Sequence, residues 1–101
     1  MAATIYHIDT IISDPAVRGG QPVIAGTSIR VSDLIASHLY RGQSPEEMAA
    51  NFNLDLGQVY AALAYYYQHK AEVDARMRAD ADESLGLLDD LERSGKLIRV
   101  G

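Results

Sequence analysis

The chain has 101 residues, 48% of them hydrophobic, and a formal net charge of −5 from nine basic and fourteen acidic side chains. That length makes one domain with room for a short tail, and an acidic balance argues against indiscriminate nucleic-acid binding, which needs a basic surface. The absence of cysteine excludes a disulfide framework and a thiolate metal site; no leader-like or membrane-length apolar run is visible, so a cytoplasmic protein with no membrane segment is expected.

In chain order, residues 5–8 and 10–13 are short and β-prone, and Asp14-Pro15 starts a turn. His7 stands two positions before Asp9, but His38 and His69 fall on separate expected helices without ligand spacing. A closed metal site needs three or four convergent ligands, so none is expected, and no cofactor either. In GGQPVIAGTSIRV (residues 19–31) glycines punctuate two β-prone runs, 22–24 and 28–31, which implies a turn or strand crossing. A phosphate loop is rejected. It would need four residues between its glycines, with a lysine following, whereas Gly20 and Gly26 have five between them and Thr27 stands in the lysine position.

The first helix is expected to open at Val31-Ser32-Asp33-Leu34 with Ser32 as N-cap. Its apolar stripe reads Leu34, Ile35, His38 and Leu39, and Gly42 ends it after Arg41. His38 is then a packed residue at the edge of a core face. A loop of about two residues keeps the next helix close by.

Ser44-Pro45-Glu46-Glu47 is a capping box with proline at the first helical position, and Met48, Ala49 and Phe52 share a face. Asn53-Leu54-Asp55 breaks that helix. Asp55 with Gln58 caps another, whose inner stripe is Val59, Leu63, Tyr66 and Tyr67, continuing to Lys70 and Val73. A short helix, a three-residue turn with a buried leucine and a longer helix fit a helix-turn-helix and a plain αα-hairpin equally. The outer face would be Gly57, Gln58, Ala61, Ala64 and Gln68. On the DNA-reading alternative Gln58 bonds adenine, Ala61 packs on a thymine methyl, and Arg30 and Arg41 touch phosphates. On the other, the small residues admit a helix from a second copy. Residues 1–70 carry Arg18, Arg30, Arg41 and Lys70 against six acids, and that shortage of cations tips the balance towards the interface.

Beyond Lys70 the helix is expected to run to Arg78, supported by the Glu72–Arg76 and Asp74–Arg78 pairs. Residues 80–94 form a further helix with Leu85, Leu88 and Leu91 on one edge, and residues 97–100, including Ile98, are β-prone. These four side chains are the expected partner contacts, with the body at 1–79 and the tail at 80–101. The tail could dock on its own domain, a second protomer or a separate protein.

The run from Gly20 to Val31, with Pro22, Ile24, Gly26, Thr27 and Ile29 in phase, closely resembles the signature of the DUF433 family. Its members typically read Gly-x-Pro-x-Ile-x-Gly-Thr-Arg-Ile-x-Val. Ile11-Ile12-Ser13-Asp14-Pro15 resembles the family's preceding segment. Downstream, Gly42-Gln43-Ser44-Pro45-Glu46-Glu47 and the run from Val59 to Tyr66 resemble its helical motifs. Ser28 departs from the family's arginine and removes a cation from the signature. The resemblance implies a three-helix, homeodomain-like or winged fold, and an antitoxin paired with a PIN-like nuclease toxin.

The expected fold is therefore mainly α with a short N-terminal β element, a helix-turn-helix core and a C-terminal helical tail. The expected function is neutralisation of that toxin, with repression of its own operon. A stand-alone transcription regulator and a structural dimerisation module are the alternatives. An enzyme is not expected, because no nucleophile–base or carboxylate pair is indicated by spacing. The β-prone segments are too short for a stable sheet in one chain, so a homo-oligomer pairing strand edges or the small-residue helix face is expected.

Overall fold

The computed structural model describes the backbone of residues 2–93 and the side chains of residues 2–84. Strand β1 (Ile11–Ile12) pairs antiparallel with β2 (Val23–Ile24), Ile11 opposite Ile24 and Ile12 opposite Val23. Residues 29–31 flank the other side of β2: the Ile24 N–H donates to Ile29 O at 2.9 Å and the Val31 N–H to Pro22 O at 3.0 Å. The reversal between them turns on Gly26, whose φ of +79° a side chain would resist. Thr27 fastens it: its Oγ1 donates to Ile24 O at 2.8 Å and accepts from the Ile29 N–H at 3.0 Å. Residues 5–8 are β-prone in composition but form no strand.

Helix α1 (Val31–Tyr40) starts directly from this ribbon. Its N-cap is Arg30, not Ser32. The bond from Val31 to Pro22 sets the helix start, and the Asp33 carboxylate accepts the Arg30 N–H at 3.1 Å, so Ser32 is drawn inside the first turn. Val31, Leu34 and Ile35 are buried, while Leu39 is displaced from the expected stripe and is 45% exposed. Gly42 ends the helix, and the His38 Nδ1–H donates to Gln43 O at 2.8 Å, packing that ring at the core's edge.

Helices α2 (Pro45–Phe52) and α3 (Leu56–Gln68) both open on capping boxes. Ser44 and Glu47 exchange two bonds of 3.1 Å, and Asp55 and Gln58 exchange bonds of 2.8 and 2.9 Å. Between the helices Asn53 is left-handed (φ 55°), and the Leu54 N–H reaches back to Ala49 O at 2.9 Å. That is a Schellman closure, with Leu54 packed against the core behind it.

The buried stripe of α3 is Val59, Ala62 and Tyr66 with Leu63 beside it; Tyr67, expected inside, lies on the outer face. Spacings of three, four and seven residues from Val59 select 62, 63 and 66, and the eighth position falls off the stripe. The chain then bends at His69 (φ −130°, ψ 39°). Helix α4 (Lys70–Arg93) follows without a break, so the two expected helices, ending at Arg78 and starting at 80, are one. No glycine or proline interrupts residues 70–85, and Ala71, Ala75, Ala79 and Ala81 favour continuation. The bend at His69 lets α4 return along α1 and bury Val73 and Met77. These two join Ile24, Val31, Leu34, Ile35, Met48, Val59, Ala62 and Tyr66 in one core. No helix among the described residues is long and apolar enough to cross a membrane.

Candidate functional site

The signature residues are explained largely by the fold they make. Ile24 and Val31 are core, Gly26 and Thr27 build the turn, Gly42 and Ser44 stop and start helices, and Tyr66 is 3% exposed with its hydroxyl donating to Asp74 at 2.9 Å. Gly20 sits in a single 3-10 turn (Arg18–Gly20), and Pro22 and Ile29 flank the ribbon.

Charge is concentrated where this ribbon meets α1 and α4. The Arg30 guanidinium donates from Nη2 and Nε to both oxygens of Asp33, at 2.8 and 3.2 Å, and from Nη1 to Gln21 Oε1 at 2.9 Å. Nη1 also lies 3.2 Å from Asp80 on α4, and Asp80 in turn pairs with Arg76 at 3.0 Å. The Arg30 side chain is 12% exposed. Its hydrogen bonds to Asp33 push its pKa up against the opposing effect of burial, with the charges of Asp33 and Asp80 adding to the rise. Every nitrogen of this side chain is engaged within the domain, so it clamps the ribbon, α1 and α4 together. Arg18 adds a bond to Ser28 O at 3.3 Å, which places a cation beside the exposed position where the family commonly carries arginine.

The other residues read from sequence do not gather around Arg30. Arg41 is exposed at the opposite end of α1, about 16 Å away by helix rise. Gln58 is half-buried and its amide oxygen is committed to the Asp55 cap; Ala61 is half-buried. No lysine or arginine occurs between Gly42 and His69, whereas Glu46, Glu47 and Asp55 do. The exposed side of α3 presents Leu56, Tyr60, Ala64 and Tyr67, an apolar stripe suited to a protein surface more than to phosphates.

Sequence reasoning missed the Arg30–Asp80 contact. The Arg30–Asp33 and Arg76–Asp80 spacings are local signals, but nothing local links positions fifty residues apart. Beside this cluster a shallow groove is lined by Gln21, Pro22, Ser32, Tyr65, Val73 and Arg76. Burial, then the charge of Glu72, raises the Tyr65 pKa. Among the described residues no group of three or more His, Asp or Glu is placed to hold a metal ion.

The third feature is the far half of α4. Ala81, Asp82, Glu83 and Ser84 are exposed, and the helical backbone continues to Arg93 in a molecule measuring 68 × 28 × 24 Å. Leu85, Leu88 and Leu91 fall on this helical stretch, with side chains beyond those described; Ile98 lies outside the described residues.

Residues 11–66, more than half of the chain, match the family model described as "Protein of unknown function (DUF433)". The chain is also similar to a solved structure, a DUF433 member protein from Anabaena variabilis ATCC 29413. The two are 32% identical over 69% of each chain, with a TM-score of 0.64. No curated protein matches.

Proposed function

The chain belongs to the DUF433 family, and on that footing we propose that it is a cytoplasmic binding protein of the antitoxin class, neutralising a PIN-like nuclease toxin through α4. The observation that carries this reading is the length of α4. It is docked through Val73, Met77 and Asp80, then runs on for thirteen more helical residues, about 20 Å, past exposed side chains. The four side chains next after Asp80 are exposed, and a helix without tertiary packing is marginal in water, so a helix that continues from them calls for a groove to lie in. Its sequence is suited to a basic one: Asp82, Glu83, Asp89, Asp90 and Glu92 accompany Leu85, Leu88 and Leu91. Each leucine buried contributes roughly 1.5–3 kcal/mol before ordering costs are subtracted.

Co-purification of native partners from the source cell tests the proposal. The full-length chain should hold the toxin and block its cleavage of RNA, and Leu88→Asp should do neither. Tight binding by the Leu88→Asp variant would contradict the role given to this helix.

The three-residue turn between α2 and α3 favours a second reading, operator binding through a helix-turn-helix, with Gln58 and Ala61 at base edges and Arg41 on phosphate. With only four cations in residues 1–70 its affinity should fall only shallowly with salt, log K dropping by about 0.9 per neutralised phosphate for each log unit of salt. Gel shifts on its upstream DNA measure this; no retardation at low salt leaves the protein-binding reading alone.

A further inference from the structure

The fold leaves one side of β1 without a strand among the described residues, because β2 covers the other side and is itself flanked by residues 29–31. The preceding residues 2–9 are all exposed, with Ile5 at 75%, Tyr6 at 89% and Ile8 at 79%. Open edges are normally blunted by lysine, proline, a bulge or an inward charge. Residues 2–13 contain no lysine, arginine, proline or glycine, and six of them are isoleucine or threonine. With Asp9 its one acidic side chain, this β-prone edge is lightly guarded and suited to being paired.

We propose that its occupant is a second copy of this chain, residues 5–11 of the two copies pairing antiparallel about a two-fold axis at Ile8. The choice of partner rests on self-complementarity. A two-fold axis perpendicular to a sheet allows only registers in which some residue faces its own copy. With Ile8 on the axis, His7 faces the partner's Asp9, Ile5 faces the partner's Ile11, and Tyr6 faces the partner's Thr10. His7 and Asp9 then meet each other, and an isoleucine is added beside Ile11, which already packs on the core. Moving the axis to His7 sets Ile5 against Asp9, and moving it to Tyr6 sets Ile5 against His7. In the single chain the backbone turns at Asp9 and Thr10, so pairing opens that turn into strand. The proposal is independent of any toxin.

The native chain has no cysteine, so single cysteines report the register directly. Light scattering at micromolar concentration should give a dimer mass. Ile8→Cys should cross-link that dimer on mild oxidation, since facing Cβ atoms are about 5 Å apart across paired strands. Tyr6→Cys should not, because its copies lie about 13 Å apart along the strands. Ala64→Cys on the exposed face of α3 reports the rival interface. Ile8→Lys, which sets two like charges together at the axis on an exposed position, should shift the mass to monomer while the helical circular dichroism of the folded chain is kept. A wild-type monomer overturns the proposal. So does a dimer that cross-links at 64, equally at 6 and 8, or at none of the three, or one that Ile8→Lys leaves intact.

Discussion

At the scale of single residues, two buried polar groups carry the clearest consequences. Arg30 satisfies Asp33 and Asp80 together, so Arg30→Met leaves two carboxylates facing each other across the space it filled. Because both acids retain solvent contact, the loss should be about 1–3 kcal/mol, below that of a fully buried pair. Thermal melting should show a fall of several degrees, and a change within error would mean the clamp contributes nothing net. Tyr66 gives a pH signature. Burial, with its bond to Asp74 adding, raises its pKa from 10.0 to about 12. The folded state therefore holds the phenol proton more tightly than the unfolded chain. That stabilisation is complete below pH 10 and is lost as pH rises through about 12. Denaturant melts across this window should show the wild type losing stability relative to Tyr66→Phe, which has no proton to lose; parallel curves would contradict the assignment.

At the scale of elements, the joint between α2 and α3 depends on Asn53 in the left-handed region. Asn53→Gly should be close to neutral and Asn53→Ala should cost about 1 kcal/mol, measured by urea unfolding, since alanine resists that conformation. If both variants melt alike, the backbone has found another closure. Much of this level was legible. Capping boxes at Ser44 and Asp55, the stop at Gly42 and the glycine turn before α1 are written in residues three or four apart, the range over which side chain and backbone compete. The errors lay where a distant element decides. Ser32 failed as N-cap because the ribbon starts the helix two residues earlier, and Tyr67 fell outside because the inner stripe passes through Ala62. The expected gap near residue 79 vanished because α4 is held at that point by Arg30. Of the candidate site, the local pairs were visible and their convergence was not.

At the scale of the molecule, α4 belongs to two systems. Its first half completes the core through Val73 and Met77 and closes the charged cluster through Asp80; its second half opens with exposed side chains at residues 81–84 and continues as helical backbone to Arg93. The division at 79/80 suggested by composition therefore passes through a joint that holds the domain together. A chain ending at Ala79 loses the acid shared by Arg30 and Arg76, leaving Arg76 without this partner and Arg30 with Asp33 and Gln21. A chain ending at Ser84 keeps it. The 1–84 protein should melt close to the full-length one, while 1–79 should lose about 1–3 kcal/mol, or several degrees in a domain of this size. Toxin capture should fail for both, since each lacks Leu85, Leu88 and Leu91. Melting and pull-down of the three lengths separate the two roles. Equal stability of 1–79 and 1–84 would show that Asp80 is dispensable to the body. Capture by 1–84 would move the binding surface back onto it, with the apolar stripe of α3 the next place to test.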